Sequence, residues 1–283
     1  MTAPSELRFT KMNGAGNDFI MIDGREQPIP HNESWIARLC DRHRGIGADG
    51  LIILQEKDGL PRMLYFNSDG GRASMCGNGA RCFVRYAQRQ RAADENFDFI
   101  TDAGVLRGHI DVPSQRVTVE MSEPHSWKNG LSVAQGDRQW PVLSVNTGVP
   151  HAVVQVDDIE DFDLHTFGAW LRHHAVFQPN GTNVNIFEEL SAGKIRVRTF
   201  ERGVEAETLA CGTGVVASCL AYAFLKDLLT EQASEHSVVA RVQSGEDLKV
   251  SFSGDNAGHF ENVKLMGPAE FVFEGTLEAN HLT

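Results

Sequence analysis

Residues Ser74–Cys82 read SMCGNGARC, and Leu209–Gly214 read LACGTG. Each stretch sets a cysteine directly before a Gly-x-Gly, and each closes the same order of features. One copy runs MLYFNSDGGRASMCGNG over Met63–Gly79, the other VRTFERGVEAETLACGTG over Val197–Gly214. In both, a strand-like run ends in Phe and a polar residue, a loop of acidic residues and glycine follows, and helical spacing begins after the cysteine. This is an internal repeat of architecture more than of letters, and it predicts two similar half-domains packed face to face.

Working outward, helical spacing is confined to Asn32–Arg42, Asn78–Arg91, Asp163–His174 and Val215–Leu228. The first cysteine helix carries Ala80, Phe83, Val84 and Ala87 at i, i+3, i+4 and i+7. That predicts one buried stripe, with Arg81, Arg85 and Arg89 solvated. The second, VVASCLAYAFL, is apolar nearly all round and should be a central helix wrapped by its sheet. Short runs such as LIIL (51–54), RVTVEM (116–121), HAVVQV (151–156), KIRVRTF (194–200) and LKVSF (248–252) read as strands, so the sheets should be largely antiparallel. Ser122–Pro141 breaks the periodicity with Pro, Gly and Asn and is the expected boundary.

The bulk composition narrows the function. With 283 residues, 41% of them hydrophobic, the chain can bury a substantial core. The balance of 26 basic against 38 acidic residues, a net charge of −12, argues against nucleic acid and anionic membrane as partners. MTAPSELRFTK lacks the pattern of a signal peptide, and the longest nearly apolar run, Val215–Leu225, is far shorter than a spanning helix. A cytoplasmic protein is expected. Its five cysteines, Cys40, Cys76, Cys82, Cys211 and Cys219, include no Cys-x-x-Cys, which points to free thiols and no metal site.

A helix start leaves backbone N–H groups unpaired and carries partial positive charge, so it favours a thiolate. The glycines that follow let a ligand carboxylate approach the same amides. A single cysteine before glycine is more often a packing or turn feature than a catalyst; the matched pair reverses that weighting. Two such thiols facing one cleft can remove a proton from one face of a carbon and return one to the other. That is a two-base racemisation or epimerisation, with the helix N-termini gripping the α-carboxylate as the carbanion forms. No clear pyridoxal-phosphate signature is present. Cys40, Cys82 and Cys219 fall within helical patterns and read as packing residues.

Other polar signals are weaker alone. GAGND at Gly14–Asp18 lacks the Gly-Lys-Ser/Thr ending of a phosphate loop and reads as a turn, with Asn17 as a possible substrate donor. His151 begins a strand, and Glu201 with Arg202 would ordinarily be a surface pair. Their place on the strand leading into the second cysteine promotes Glu201 and Arg202. His173 and His174 have no metal spacing and read as a solvated helix end.

Taken together, KMNGAGNDFIMID (11–23), RHRGIGADGLI (42–52), FNSDGGRASMCGNGARC (66–82), TGVPHAVV (147–154), NGTNVNIF (180–187) and FERGVEAETLACGTG (200–214) resemble the motifs of the diaminopimelate epimerase family, in order and over nearly the whole chain. The resemblance implies a cofactor-independent epimerase interconverting LL- and meso-diaminopimelate in lysine and peptidoglycan precursor synthesis. Cys76 and Cys211 would exchange the α-proton. The amides of Gly77 and Asn78, and of Gly212 and Thr213, would hold the reacting carboxylate. Asn17, Asn67, Asn183, Glu201 and Arg202 would bind the rest of the substrate, with His151 and Glu201 tuning the thiols. The implied fold is α+β and sandwich-like: two pseudo-symmetric domains, each a curved, mainly antiparallel sheet around a central helix. They would span 1–125 and 126–266, with a segment of about 267–283 returning to the first domain, in a homodimer. Gly50 stands where many members carry Gln and Val149 where they carry Asn, and the 201–211 loop is one residue longer than the commonest form. These departures bear on the distal end of the substrate. A racemase of another amino acid, such as histidine, and a non-catalytic amino-acid- or metal-binding relative are the alternatives; a proline-type racemase is disfavoured by CGNG followed by a second cysteine.

Overall fold

The computed structural model describes residues 6–27, 29–30 and 32–278. The chain divides into two compact units, one of residues 1–119 with 267–283 and one of residues 120–266. Residues 1–5 of the first domain and 279–283 of the returning segment lie outside the described residues.

In chain order the first unit holds β1 (Glu6–Gly14), β2 (Asn17–Asp23), α1 (Glu33–Cys40), β3 (Gly50–Lys57), β4 (Leu60–Asn67), β5 (Arg72–Ala73), α2 (Gly77–Arg89), β6 (Asn96–Thr101), β7 (Gly104–Asp111) and most of β8 (Arg116–Glu120). The second holds β9 (His125–Gln135), β10 (Arg138–Asn146), β11 (Pro150–Gln155), α3 (Leu164–Arg172), a 3-10 turn at Ala175–Phe177, β12 (Asn183–Ser191), β13 (Lys194–Glu201), β14 (Ala206–Thr208), α4 (Gly212–Leu225), β15 (Ser234–Arg241), β16 (Asp247–Gly254) and β17 (Phe260–Gly267). The last strand, β18 (Glu270–Glu278), rejoins the first unit.

The strand ladders confirm the repeat read from the sequence. In the first unit the order is β18-β1-β2-β3-β4-β6-β7-β8, antiparallel except for β2–β3 and β4–β6. In the second it is β9-β10-β11-β12-β13-β15-β16-β17, antiparallel except for β11–β12 and β13–β15. The short strands β5 and β14 flank β4 and β13 in the same way. A parallel pair cannot be joined by a tight turn and needs a crossover. Each parallel step accordingly carries one helix: α1 and α2 in the first unit, α3 and α4 in the second. Both cysteine motifs lead into the helix of the second crossover.

The run LIIL explains how β3 serves two layers. Leu51 and Ile53 join a cluster with Trp35, Ile36 and Leu39 of α1, while Ile52 and Leu54 join one with Ala80, Phe83, Val84 and Ala87 of α2. Side chains alternate across a strand, so a strand covered on both faces is apolar without a break. α4 is buried on almost every side from Gly214 to Ala223, as its uniform apolarity requires.

Two expectations change. Ser122–Pro141 is not a boundary loop: β9 and β10 form a hairpin there, with Gln135 opposite Arg138 across a two-residue turn at Gly136 (φ 59°) and Asp137. Its outer strand is mostly exposed and so shows no apolar alternation; it is anchored by Trp127, whose ring packs edge-on to Phe224 and Phe260. Gly50 is also a packing residue. A Cβ there would lie 2.6 Å from the Phe66 carbonyl oxygen and 2.7 Å from Tyr65, so β3 has no room for a side chain at this position.

Candidate active site

Both cysteines are N-cap residues. Cys76 is extended (φ −140°, ψ 122°), its carbonyl accepts the Ala80 N–H at 2.7 Å, and its Sγ accepts the Gly79 N–H at 3.4 Å. Cys211 shares the extended backbone at α4 (φ −116°, ψ 106°) and its carbonyl accepts the Val215 N–H at 2.9 Å, but its Sγ makes no cap hydrogen bond to a helix amide and lies 3.5 Å from Thr213 Oγ1. Each sulfur thus sits at a helix start, where the first N–H groups have no partner within the helix. Thr147, buried immediately after β10, donates its hydroxyl to the Thr213 carbonyl and ties that start to the end of the strand. The other three cysteines differ sharply. Burial pushes the Cys40 and Cys82 thiols up to about 12 and raises Cys219 as well, so all three stay protonated at neutral pH.

In the first unit the expected substrate residues form a directed chain of amides. Arg81 Nη2 donates to Asn78 Oδ1 at 2.8 Å, Asn78 Nδ2 to Asn17 Oδ1 at 2.6 Å, and Asn17 Nδ2 to Asp49 Oδ2 at 3.0 Å. A guanidinium only donates and a carboxylate only accepts, so the two ends fix the orientation of both amides. Asp49 is held in turn by Arg42, which also grips Asp18 bidentately at 2.7 and 2.8 Å. Lys11 pairs with Asp18 at 2.9 Å. Burial opposes ionisation of Asp18, but Arg42 and Lys11 outweigh it and hold its carboxyl far below the usual range. Asn67 lies apart, exposed at the end of β4, where it opens the turn that its backbone closes with Gly70 and Gly71.

Arg81 corrects the sequence reading of a solvated arginine face. It is fully buried, and among the described residues no carboxylate pairs with it; besides Asn78 its donors reach the carbonyls of Pro268 at 3.2 Å, Gly77 at 3.4 Å and Gly14 at 3.4 Å. Burial lowers its pKa to about 10, so it remains charged, and its field reaches Cys76 and Cys82. The missed signal is the Cys76-to-Arg81 spacing, which places a cation little more than one turn into the helix that the thiol caps.

In the second unit β12 supplies two buried asparagines. Asn183 Nδ2 donates to the Pro150 carbonyl at 3.0 Å, and its Oδ1 accepts the Arg202 N–H at 2.8 Å, so it rivets the residue before His151 to the β13–β14 turn. That turn is closed, with Glu201 opposite Ala206, and Glu205 anchors it to Arg172 of α3 at 3.1 Å. Arg202 Nη1 donates to the Asn180 carbonyl at 3.1 Å, and among the described residues the guanidinium has no carboxylate partner. His151 is fully buried; burial first, and the charge of Arg202 second, lower its pKa to about 3. Asn185, two residues after Asn183 on the same strand face, bonds to it and was not singled out from the sequence. Val149 precedes Pro150 and is half-buried, its carbonyl accepting the Thr147 N–H at 3.2 Å.

A sequence model of the family described as diaminopimelate epimerase matches residues 9–127 and 143–272, leaving out only part of the β9–β10 hairpin between them. The chain belongs to the diaminopimelate epimerase family. It is 38% identical to a protein of Aquifex aeolicus named diaminopimelate epimerase, over 96% of this chain and 98% of that one. A Flavobacterium psychrophilum protein of the same name is also 38% identical, over 96% and 100%. Among solved structures, a phenazine biosynthesis protein of the PhzF family from Bacillus anthracis aligns with a TM-score of 0.73 over 97% of this chain and 99% of that one. At 16% identity that likeness concerns the fold alone. Family membership makes the chain an isomerase. Among the described residues no helix is long and apolar enough to cross a membrane, and no group of three or more His, Cys, Asp or Glu side chains could hold a metal ion.

Two outcomes follow from the buried ionisable groups. Arg81→Met should destabilise the protein by about 2–4 kcal/mol by removing the donors that reach Asn78 Oδ1 and the Pro268 and Gly14 carbonyls, and should slow Cys76 alkylation at neutral pH, whereas Arg81→Lys retains the charge and most of the reactivity; equal alkylation rates in all three proteins would contradict an electrostatic link. For His151 the folded state holds a neutral ring, while the unfolded chain takes up a proton below its ordinary value of 6.5. Stability should therefore fall as pH drops from about 6.5 towards about 3, by about 1.4 kcal/mol per unit for this one group. Urea titrations of the wild type and His151→Gln over that range should show a shallower slope in the variant.

Proposed function

We propose that the chain interconverts LL- and meso-2,6-diaminopimelate, with Cys76 and Cys211 exchanging roles as base and acid on opposite faces of the α-carbon. A thiolate takes the α-proton, the electron pair delocalises into the carboxylate, and the other thiol returns a proton, leaving the pair with its protonation reversed. The observation that carries this is the paired N-cap geometry. Each cysteine is the N-cap residue of a helix whose first amides can receive a carboxylate: Gly77 and Asn78 on α2, Gly212 and Thr213 on α4.

Asn17, Asn67, Asn183, Glu201 and Arg202 are the proposed contacts for the rest of the substrate, with His151 and Glu201 supporting the thiols. Arg202 suits a distal carboxylate because among the described residues its guanidinium has no counterion. Asn183 spends one donor and one acceptor on backbone, so its share in substrate binding comes from what remains. A cytoplasmic location and a homodimer complete the proposal; the exposed Val272 and Phe273 of β18 offer an apolar strip that a second copy would cover.

Cys76→Ala and Cys211→Ala should each fold and lose about 100-fold or more of epimerisation, the usual share of a positioned acid or base. Comparable turnover in either variant would contradict the two-thiol mechanism. Arg202→Lys should raise KM about tenfold with little change in melting temperature, because an ammonium cannot form the bidentate contact. A large loss of stability with unchanged KM would make Arg202 a scaffold residue. Assaying histidine beside diaminopimelate separates this substrate from the alternative racemase.

A further inference from the structure

We infer that Asn185 is a positioning residue that fixes His151 as a neutral ring protonated on Nε2, so that His151 serves the reaction as a hydrogen-bond donor to an anionic oxygen or sulfur and takes up no proton itself. The inference rests on the epimerase assignment only for what that donor is used for; the tautomer follows from the hydrogen bonds.

β11 and β12 run parallel with Val153 opposite Asn185, which brings the Asn185 amide against the backbone of Ala152 and the ring of His151. Asn185 Nδ2 donates to the Ala152 carbonyl at 3.0 Å and lies 3.1 Å from His151 Nδ1. A carbonyl can only accept, so the amide's nitrogen side must face it. The second hydrogen of that nitrogen is then aimed at Nδ1, which must offer its lone pair. The oxygen side is locked from behind, since Oδ1 accepts the Thr199 hydroxyl at 2.9 Å. All three residues are buried, and no rotation is free.

Gly214 of α4 closes the arrangement. A Cβ at that position would lie 2.2 Å from Asn185 Oδ1 and 3.2 Å from Thr199 Oγ1, so the helix capped by Cys211 is seated directly on the amide. With Nδ1 committed, the only N–H of the ring is at Nε2, and this buried atom has no hydrogen-bond partner among the described residues. A buried donor left unpaired is costly. Protonating Nδ1 would set two donors face to face, and the nearby Arg202 charge also disfavours an imidazolium. The ring is therefore built to offer one N–H to an anion, and the proton traffic stays with the thiols.

The direct test is ¹⁵N-histidine NMR of the whole protein, with the His151 signal identified by its loss in His151→Gln. The expected result is a pyridine-like Nδ1 and a pyrrole-like Nε2 that do not titrate between pH 5 and 8. An Nδ1–H ring, or one that titrates in this range, overturns the inference. Asn185→Asp replaces the donor by an acceptor and should move the proton to Nδ1 or charge the ring, with kcat reduced about tenfold or more and KM changed less. Wild-type kcat with an inverted tautomer would overturn the positioning role. Should the buried carboxylate prevent folding, Thr199→Val removes only the rear lock: it should make the tautomer heterogeneous and lower kcat, and an unchanged tautomer and kcat would count against the network. A wild type with the expected tautomer but no exchange of the diaminopimelate α-proton would overturn the functional assignment while leaving the tautomer assignment intact.

Discussion

The structure depends on one constraint: the first amides of a helix must find a partner outside the helix. At α2 and α4 the N-cap position is given to a cysteine followed by Gly-x-Gly, and at α2 the cysteine sulfur itself accepts one of the first amides. The surrounding sheet keeps each helix start in place. Each is the crossover of a parallel strand pair, β4–β6 or β13–β15, and a crossover cannot slide along its sheet without breaking both ladders. The repeated strand order is the physical basis of the repeated chemistry.

Around each thiol, amide side chains are oriented by groups with a single hydrogen-bonding role. In the first unit Arg81 and Asp49 set the direction of Asn78 and Asn17 from opposite ends. In the second, backbone groups do the same work: the Ala152 carbonyl orients Asn185, and the Pro150 carbonyl with the Arg202 N–H orients Asn183. Such networks are worth their burial only when every member is satisfied, and in the network of Asn185 and His151 the buried Nε2 has no hydrogen-bond partner among the described residues. The two units thus reach preorganisation differently, through a buried cation in one and through strand backbone in the other.

The parts legible in the sequence were those written locally. The Cys-Gly-x-Gly helix starts, the LIIL strand and the all-apolar α4 each follow from a few adjacent residues. What was not legible depends on distant chain. Arg81 sits on a helix whose other arginines read as solvated, and it is buried because Gly14 and Pro268, far away in sequence, supply carbonyls around it. Asn185 falls at an alternating polar position of β12, which ordinarily faces water; α4 covers that face here. The 122–141 segment hid a hairpin because an exposed strand with Gly and Pro carries no apolar period. Gly50 was read as a departure from the family's Gln bearing on the substrate, and the 2.6 Å approach to the Phe66 carbonyl shows its packing role.

The central claim is that the proton leaving the α-carbon and the proton returning to it belong to different thiols. The measurement that addresses it most directly starts from LL-diaminopimelate in deuterated water and follows isotope and stereochemistry together over the first few per cent of conversion. Two thiols acting on opposite faces predict meso product carrying deuterium at the inverted centre, while the remaining LL substrate stays unlabelled. Deuterium entering the LL pool as fast as it enters the meso product, or meso product retaining the original proton, would contradict the account, because in either outcome one group both removes and supplies the hydron at the α-carbon, after exchange with solvent in the first case and before it in the second.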